Sequence, residues 1–167
     1  LEHDFTMPAA PREVALDPTG SRVLAATDRQ LFLWNADDGA LVARVGTETG
    51  FVLPPVFSAD GGYVAIAERV EGANPLYSVL RSADGSLVST IEGTPDAEDW
   101  ELGPGGRYVA LQGPETVVRV LETRRGAELR PLPHSHPVER LLHSNDGAML
   151  VTVDGAGAIA SWPLAVA

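Results

Sequence analysis

Residues 138–164, VERLLHSNDGAMLVTVDGAGAIASWPL, read as three short strands separated by glycine turns and ending on a tryptophan. Weaker copies of the opening hairpin occur earlier as ALDPTGSRVLAAT, VFSADGGYVAIAE and ELGPGGRYVALQG, aligned with LHSNDGAMLVTVD. Their turn glycines, Gly20, Gly61, Gly106 and Gly147, lie 41, 45 and 41 residues apart. A fixed period of this size marks a repeat architecture. Each copy is an apolar strand, a Pro/Asp/Gly turn able to supply positive φ, and a second strand rich in Val, Leu and Ala, which describes a β-hairpin.

A second series follows the first: QLFLWNADDGALVARV, LYSVLRSADGSLVSTI, TVVRVLETRRGAELRPL and AIASWPLAVA. These predict a third strand, a turn on Gly39, Gly85 or Gly126, and a fourth strand that the last copy lacks. HDFTM, residues 3–7, stands where a fourth strand would precede the first hairpin, and it is expected to lie beside the strand ending at Trp162 and close a ring. Apolar positions alternate or run in fours to sixes between glycine and proline breaks, so the chain is expected to be all-β.

These residues carry a resemblance. Four-stranded units of about 41 residues, with a hairpin like FSADGGYVAIA and a third strand like QLFLWN, resemble the blades of a WD40-type β-propeller over nearly the whole chain. The fourth copy is the best, with Pro133-His134 at the family's Gly-His place and Trp162-Pro163 at its Trp-Asp place. Trp34 is followed by Asn35, and the tryptophan place holds Leu80 and Leu121 in the second and third copies. Counted outer strand first, the expected units span 3–35, 40–82, 86–122 and 127–164. A lone sheet with two apolar faces must be covered by neighbours, and a ring of sheets achieves this while leaving only short edges. Aromatic residues are 6% of the chain, too few to fill the wide wedges of a four-blade ring. A seven- or eight-bladed ring, completed by a second copy or another polypeptide, is therefore expected, with a self-contained four-blade ring as the alternative.

Composition narrows the function. The 167 residues carry a net charge of −11, which repels phosphate backbones and argues against nucleic acid or anionic membrane as partners. All 12 basic residues are arginine and there is no cysteine, which removes Schiff-base, phosphate-loop lysine and thiolate chemistry. No nucleophile elbow occurs, and Ser58 and Ser144 sit in turns, so His143 beside Ser144 lacks the rest of a catalytic set. A cytoplasmic location is expected, with a leader ahead of Leu1 as the alternative.

The candidate residues fall into three groups. The resemblance implies that His134 hydrogen-bonds inward toward Thr152, Asp154 and Trp162 as a structural network. His134 and His136 could instead hold a metal, since a His-x-His pair on an extended segment puts both rings on one side. The acidic run Glu92, Asp96, Glu98, Asp99 and Glu101 reads as a solvated loop, with calcium ligation as the alternative. Arg69, Asn74, Tyr77 and Trp100, on and beside two irregular loops, are the expected partner contacts, because arginine and large aromatics are enriched at interface hot spots, with interblade filler as the alternative for Tyr77 and Trp100. No cofactor is expected. The function expected is a non-enzymatic scaffold for protein–protein interaction or assembly; the alternative is a ligand- or metal-binding propeller with hydrolase or lyase activity.

Overall fold

The computed structural model describes residues 3–144, 146 and 148–164. Four antiparallel meanders follow one another along the chain. Blade one holds β1 (Glu13–Leu16), β2 (Arg22–Ala26), β3 (Gln30–Asn35) and β4 (Leu41–Gly46). Blade two holds β5 (Phe51–Phe57), β6 (Tyr63–Glu68), β7 (Leu76–Arg81) and β8 (Leu87–Glu92). Blade three holds β9 (Asp99–Leu102), β10 (Tyr108–Gln112), β11 (Val117–Glu122) and β12 (Glu128–Pro133). Among the described residues blade four has three strands, β13 (Val138–His143), β14 (Met149–Asp154) and β15 (Ile159–Pro163). The units expected over 3–35, 40–82, 86–122 and 127–164 are thus offset by one strand, because each outer strand pairs with the sheet before it.

Turn chemistry explains the hairpins. Gly20, Gly61 and Gly106 take φ of 77°, 72° and 61°, and Gly39, Gly85 and Gly126 take 70°, 71° and 67°, the left-handed region that a Cβ disfavours. Gly147 lies outside the described residues. The serines act as turn locks: Ser58 Oγ donates to Asp60 at 2.6 Å and accepts from the Tyr63 amide at 3.0 Å. Ser144 repeats the pattern with Asp146 and the Met149 amide, at 2.6 and 2.9 Å.

Alternation along the strands gives every sheet two apolar faces, and consecutive sheets bury them against each other. Leu24, Ala26, Leu31 and Leu33 of blade one meet Val64, Ile66 and Leu80 of blade two. The other face of blade two, with Ala65, Ala67, Tyr77 and Val79, meets Trp100, Leu102, Val109 and Leu111 of blade three. Tyr108, Ala110, Val120 and Leu132 then meet Val138, Leu141 and Leu150 of blade four. Small residues at the centre of these joints let the sheets approach closely. Polar bonds fasten them as well. Trp100 Nε1 donates to the Pro54 carbonyl at 2.8 Å, the Gly105 amide to Asp60 at 2.7 Å, and Arg130 to the Pro163 carbonyl at 2.9 Å.

The inner strands touch in series, β1 to β5, β5 to β9 and β9 to β13, and among the described residues no contact of that extent joins β13 to β1. HDFTM is not the closing strand. It makes no backbone ladder, and it lies instead on blade one, where Phe5 packs on Trp34 with ring centroids 5.5 Å apart and His3 Nε2 bonds the Asp37 carbonyl at 2.8 Å. Phe5 and Met7 cover Ala25, Phe32 and Trp34, apolar side chains that no preceding blade of this chain can cover.

Candidate functional site

The histidine network forms as a compact unit at the start of blade four. His134 follows β12, and its Nε2 meets Thr152 Oγ at 2.6 Å while Trp162 Nε1 donates to the same oxygen at 3.0 Å. The two rings meet edge to face at 5.3 Å. Asp154 takes a different part. Its carboxylate accepts the Ala156 and Ala158 amides at 3.0 and 2.9 Å, holding the β14–β15 turn, and lies 3.7 Å from His136 Nδ1. The Ala158 amide, outweighing burial, keeps that carboxyl below its usual range. The metal alternative on His134 and His136 gains nothing here: His134 Nε2 is engaged by Thr152, and among the described residues no three ligating side chains converge.

The expected contact residues separate into two kinds. Tyr77 and Trp100 are 1% exposed and pack on each other between blades two and three, ring centroids 5.2 Å apart. The Tyr77 hydroxyl donates to the Thr94 carbonyl at 3.1 Å, so both aromatics are spent on the joint and neither is presented to a partner. Arg69 is exposed, and Asn74 is half-buried with its amide donating to Glu92 at 2.7 Å. Arg69 borders a cleft of about 320 Å³ floored by Tyr77 and walled by Val52, Val70, Pro75 and Pro95. The Thr49 hydroxyl donates to the Arg69 carbonyl and holds this loop in place.

Two groups, Glu101 and His143, have their charged forms disfavoured by burial in the joints. Burial, reinforced by Asp99, pushes the Glu101 carboxyl up to about 7. Burial pushes His143 down to about 4; both its ring nitrogens are buried without a hydrogen-bond partner, and its ring stands 5.0 Å from that of Tyr108. Ser144 gives its hydroxyl to Asp146 rather than to His143, so the two do not form a nucleophile–base pair. In the acidic run, Glu92, Asp96, Glu98 and Asp99 are exposed and only Glu101 turns inward.

The least satisfied surfaces are the two end faces of the blade series. On blade one, Val14 and Leu16 are each 61% exposed. The counterparts of Leu16 in the other blades, Phe57, Leu102 and His143, pack against the preceding blade. On blade four, Leu142 is 56% and Ile159 74% exposed, on the face they share with Met149, Val151 and Val153. The counterparts of Leu142 are Ala15, Val56 and Glu101, all partly covered by the next blade. These positions escaped the reading of loops and hot spots. The available signal was that the fourth repeat, like the three before it, keeps both of its strand faces apolar.

No protein-family model and no curated protein sequence matches the chain. Solved structures do. A crystal structure of RRP9 WD40 repeats aligns at a TM-score of 0.61 and 18% identity, over 90% of this chain and 47% of that one. A structure of U3-55K aligns at 0.61 and 17%, over 90% and 48%. The crystal structure of the computationally designed Ika4 protein aligns at 0.64 and 16%, over 95% and 94%. The chain spans about half the length of the two WD40 structures. With the sheet order and the blade joints, these likenesses establish a WD40-like β-propeller fold, with three four-stranded blades and a three-stranded one among the described residues.

Proposed function

We propose that the chain is a non-enzymatic assembly scaffold, a propeller segment that binds protein partners and forms part of a larger ring. The observation that carries this reading is the pair of apolar end faces, Val14 and Leu16 at one end and Leu142 and Ile159 at the other. The partner that fits them is another blade, because the same positions make all three joints within the chain. The area agrees. A closed monomer of this mass exposes roughly 7,900 Å², whereas the chain exposes 8839 Å². Partners are proteins rather than nucleic acid or membrane in this reading, which the net charge of −11 supports, and the setting is cytoplasmic. Among the described residues no helix is long and apolar enough to cross a membrane.

A further contact is proposed at the loop cleft, where Arg69 and Asn74 would meet an extended, acidic segment of a docked protein; Arg69 has no side-chain partner among the described residues, and the walls are apolar. No observation favours the hydrolase or lyase alternative.

The test is the double substitution Leu142→Glu with Ile159→Glu, followed by sedimentation velocity. The wild-type chain is expected above its monomer mass and the variant at the monomer mass with its sheet circular dichroism unchanged. Identical sedimentation of the two proteins overturns the reading.

A further inference from the structure

Among the described residues blade four has no outer strand, and residues 3–7 have a strand's alternation but no sheet to join. The connections from β4 to β5, β8 to β9 and β12 to β13 each carry the chain from an outer strand of one blade to the inner strand of the next, through four, six and four residues. Residues 3–7 stand five residues ahead of β1, in the same relation to the first inner strand. They also have a strand's pattern: Phe5 and Met7 turn inward while Asp4 and Thr6 are exposed. They have no strand partner, however, and β15 is hydrogen-bonded on one side only, by β14. An unpaired strand edge is a template for a strand from elsewhere.

Within one chain these two needs are not met by each other. The segment lies over Trp34 and Phe32 of blade one, on the side where the outer part of a preceding blade would sit, and blade four of the same chain is not there. We infer that two copies of the chain close head to tail into one eight-bladed ring, in which residues 3–7 of each copy are the fourth strand of the other copy's blade four. This rests on the assembly reading above and names its partner.

Two observations point to a second copy rather than an unrelated chain. Each copy offers one spare strand and one vacant edge, so a two-fold pairing satisfies both with nothing left over. Its two end faces are the two halves of a joint the chain already makes three times, so Leu142 and Ile159 of one copy meet Val14 and Leu16 of the other. The area also suffices: an excess of roughly 900 Å² per chain over a compact monomer amounts in two chains to about the size of a standard interface.

The absence of cysteine makes the test clean. One tagged preparation carries Thr6→Cys, and a second, differently tagged, carries Ala160→Cys or Ser161→Cys on β15. The two are unfolded together, refolded, and treated with a short thiol-to-thiol cross-linker. The expected product is a covalent pair of unlike copies, several-fold more abundant than with either preparation alone and absent when Ala83→Cys, on an exposed turn of blade two, replaces Thr6→Cys. A particle of two-chain mass without this cross-link overturns the strand exchange and leaves the assembly reading standing. A one-chain mass overturns both, and a cross-link formed within a single chain carrying Thr6→Cys and Ser161→Cys shows a four-blade ring and overturns the two-copy ring.

Discussion

Leu16, Phe57, Leu102 and His143 hold one place in four successive blades, and the histidine is the odd member. Burial pushes it down to about 4, against 6.5 in the unfolded chain, so the unfolded state takes up the proton first. Stability contributed at this site is therefore lost as pH falls from about 6.5 toward 4. Glu101 acts in the opposite sense. Its folded-state value of about 7 exceeds the unfolded 4.5, so the stability it contributes is present below 4.5 and lost as pH rises through about 7. The two nearly offset each other in mild acid, and single substitutions should separate them. His143→Leu is expected to reduce the loss on acidification, and Glu101→Gln to raise stability at pH 8 while changing little at pH 4, each by about 1–3 kcal/mol; urea titrations across that pH range check both. Thr152→Val, which strands His134 Nε2 and Trp162 Nε1 together, is expected to cost about 1–3 kcal/mol in the same assay. At this scale the sequence made most of the His134 network legible, because the resemblance pairs residues at fixed spacing. It left Tyr77 and Trp100 open between partner contact and interblade filler, since an aromatic beside an irregular loop has the same letters whether it faces solvent or fills a joint.

The element scale belongs to the turns. Gly72 and Gly85 have almost equal φ, 70° and 71°, but a Cβ at Gly72 meets open space while one at Gly85 would collide with the Ala43 Cβ of blade one. Gly72→Ala is expected to cost about 1 kcal/mol for the left-handed backbone alone. Gly85→Ala should cost roughly 1–3 kcal/mol more through the overpacked joint. Thermal melts of the two variants check the difference. The hairpins were readable because turn chemistry is local: a Pro/Asp/Gly cluster between Val-rich runs has few other conformations open to it. The destination of residues 3–7 was not readable in the same way. Alternation identifies a strand, but the edge that it joins depends on which surfaces the ring brings together, and in this chain the segment packs over Phe32 and Trp34.

At the scale of the whole molecule, four sheets in series have three joints, and the two faces left over are apolar. Each chain carries a net charge of −11, so in the proposed two-copy ring the copies would repel at a distance while their end faces attract on contact. Association is therefore expected to tighten when ionic strength rises from about 0.01 to 0.15 M, as the screening length shortens from roughly 30 to 8 Å; dilution series by light scattering at the two salt concentrations check it. The period of the repeat disclosed the blade number of the chain but not that of the ring, because closure depends on the angle between sheets, which small interior residues constrain only collectively. Small-angle X-ray scattering from the unmodified chain tests the central claim most directly, since forward intensity gives mass and the distance distribution gives shape. An open four-blade array completed by its own copy requires twice the 17.6 kDa of one chain and a wide ring. A concentration-independent mass of one chain with a small, compact distribution would contradict it.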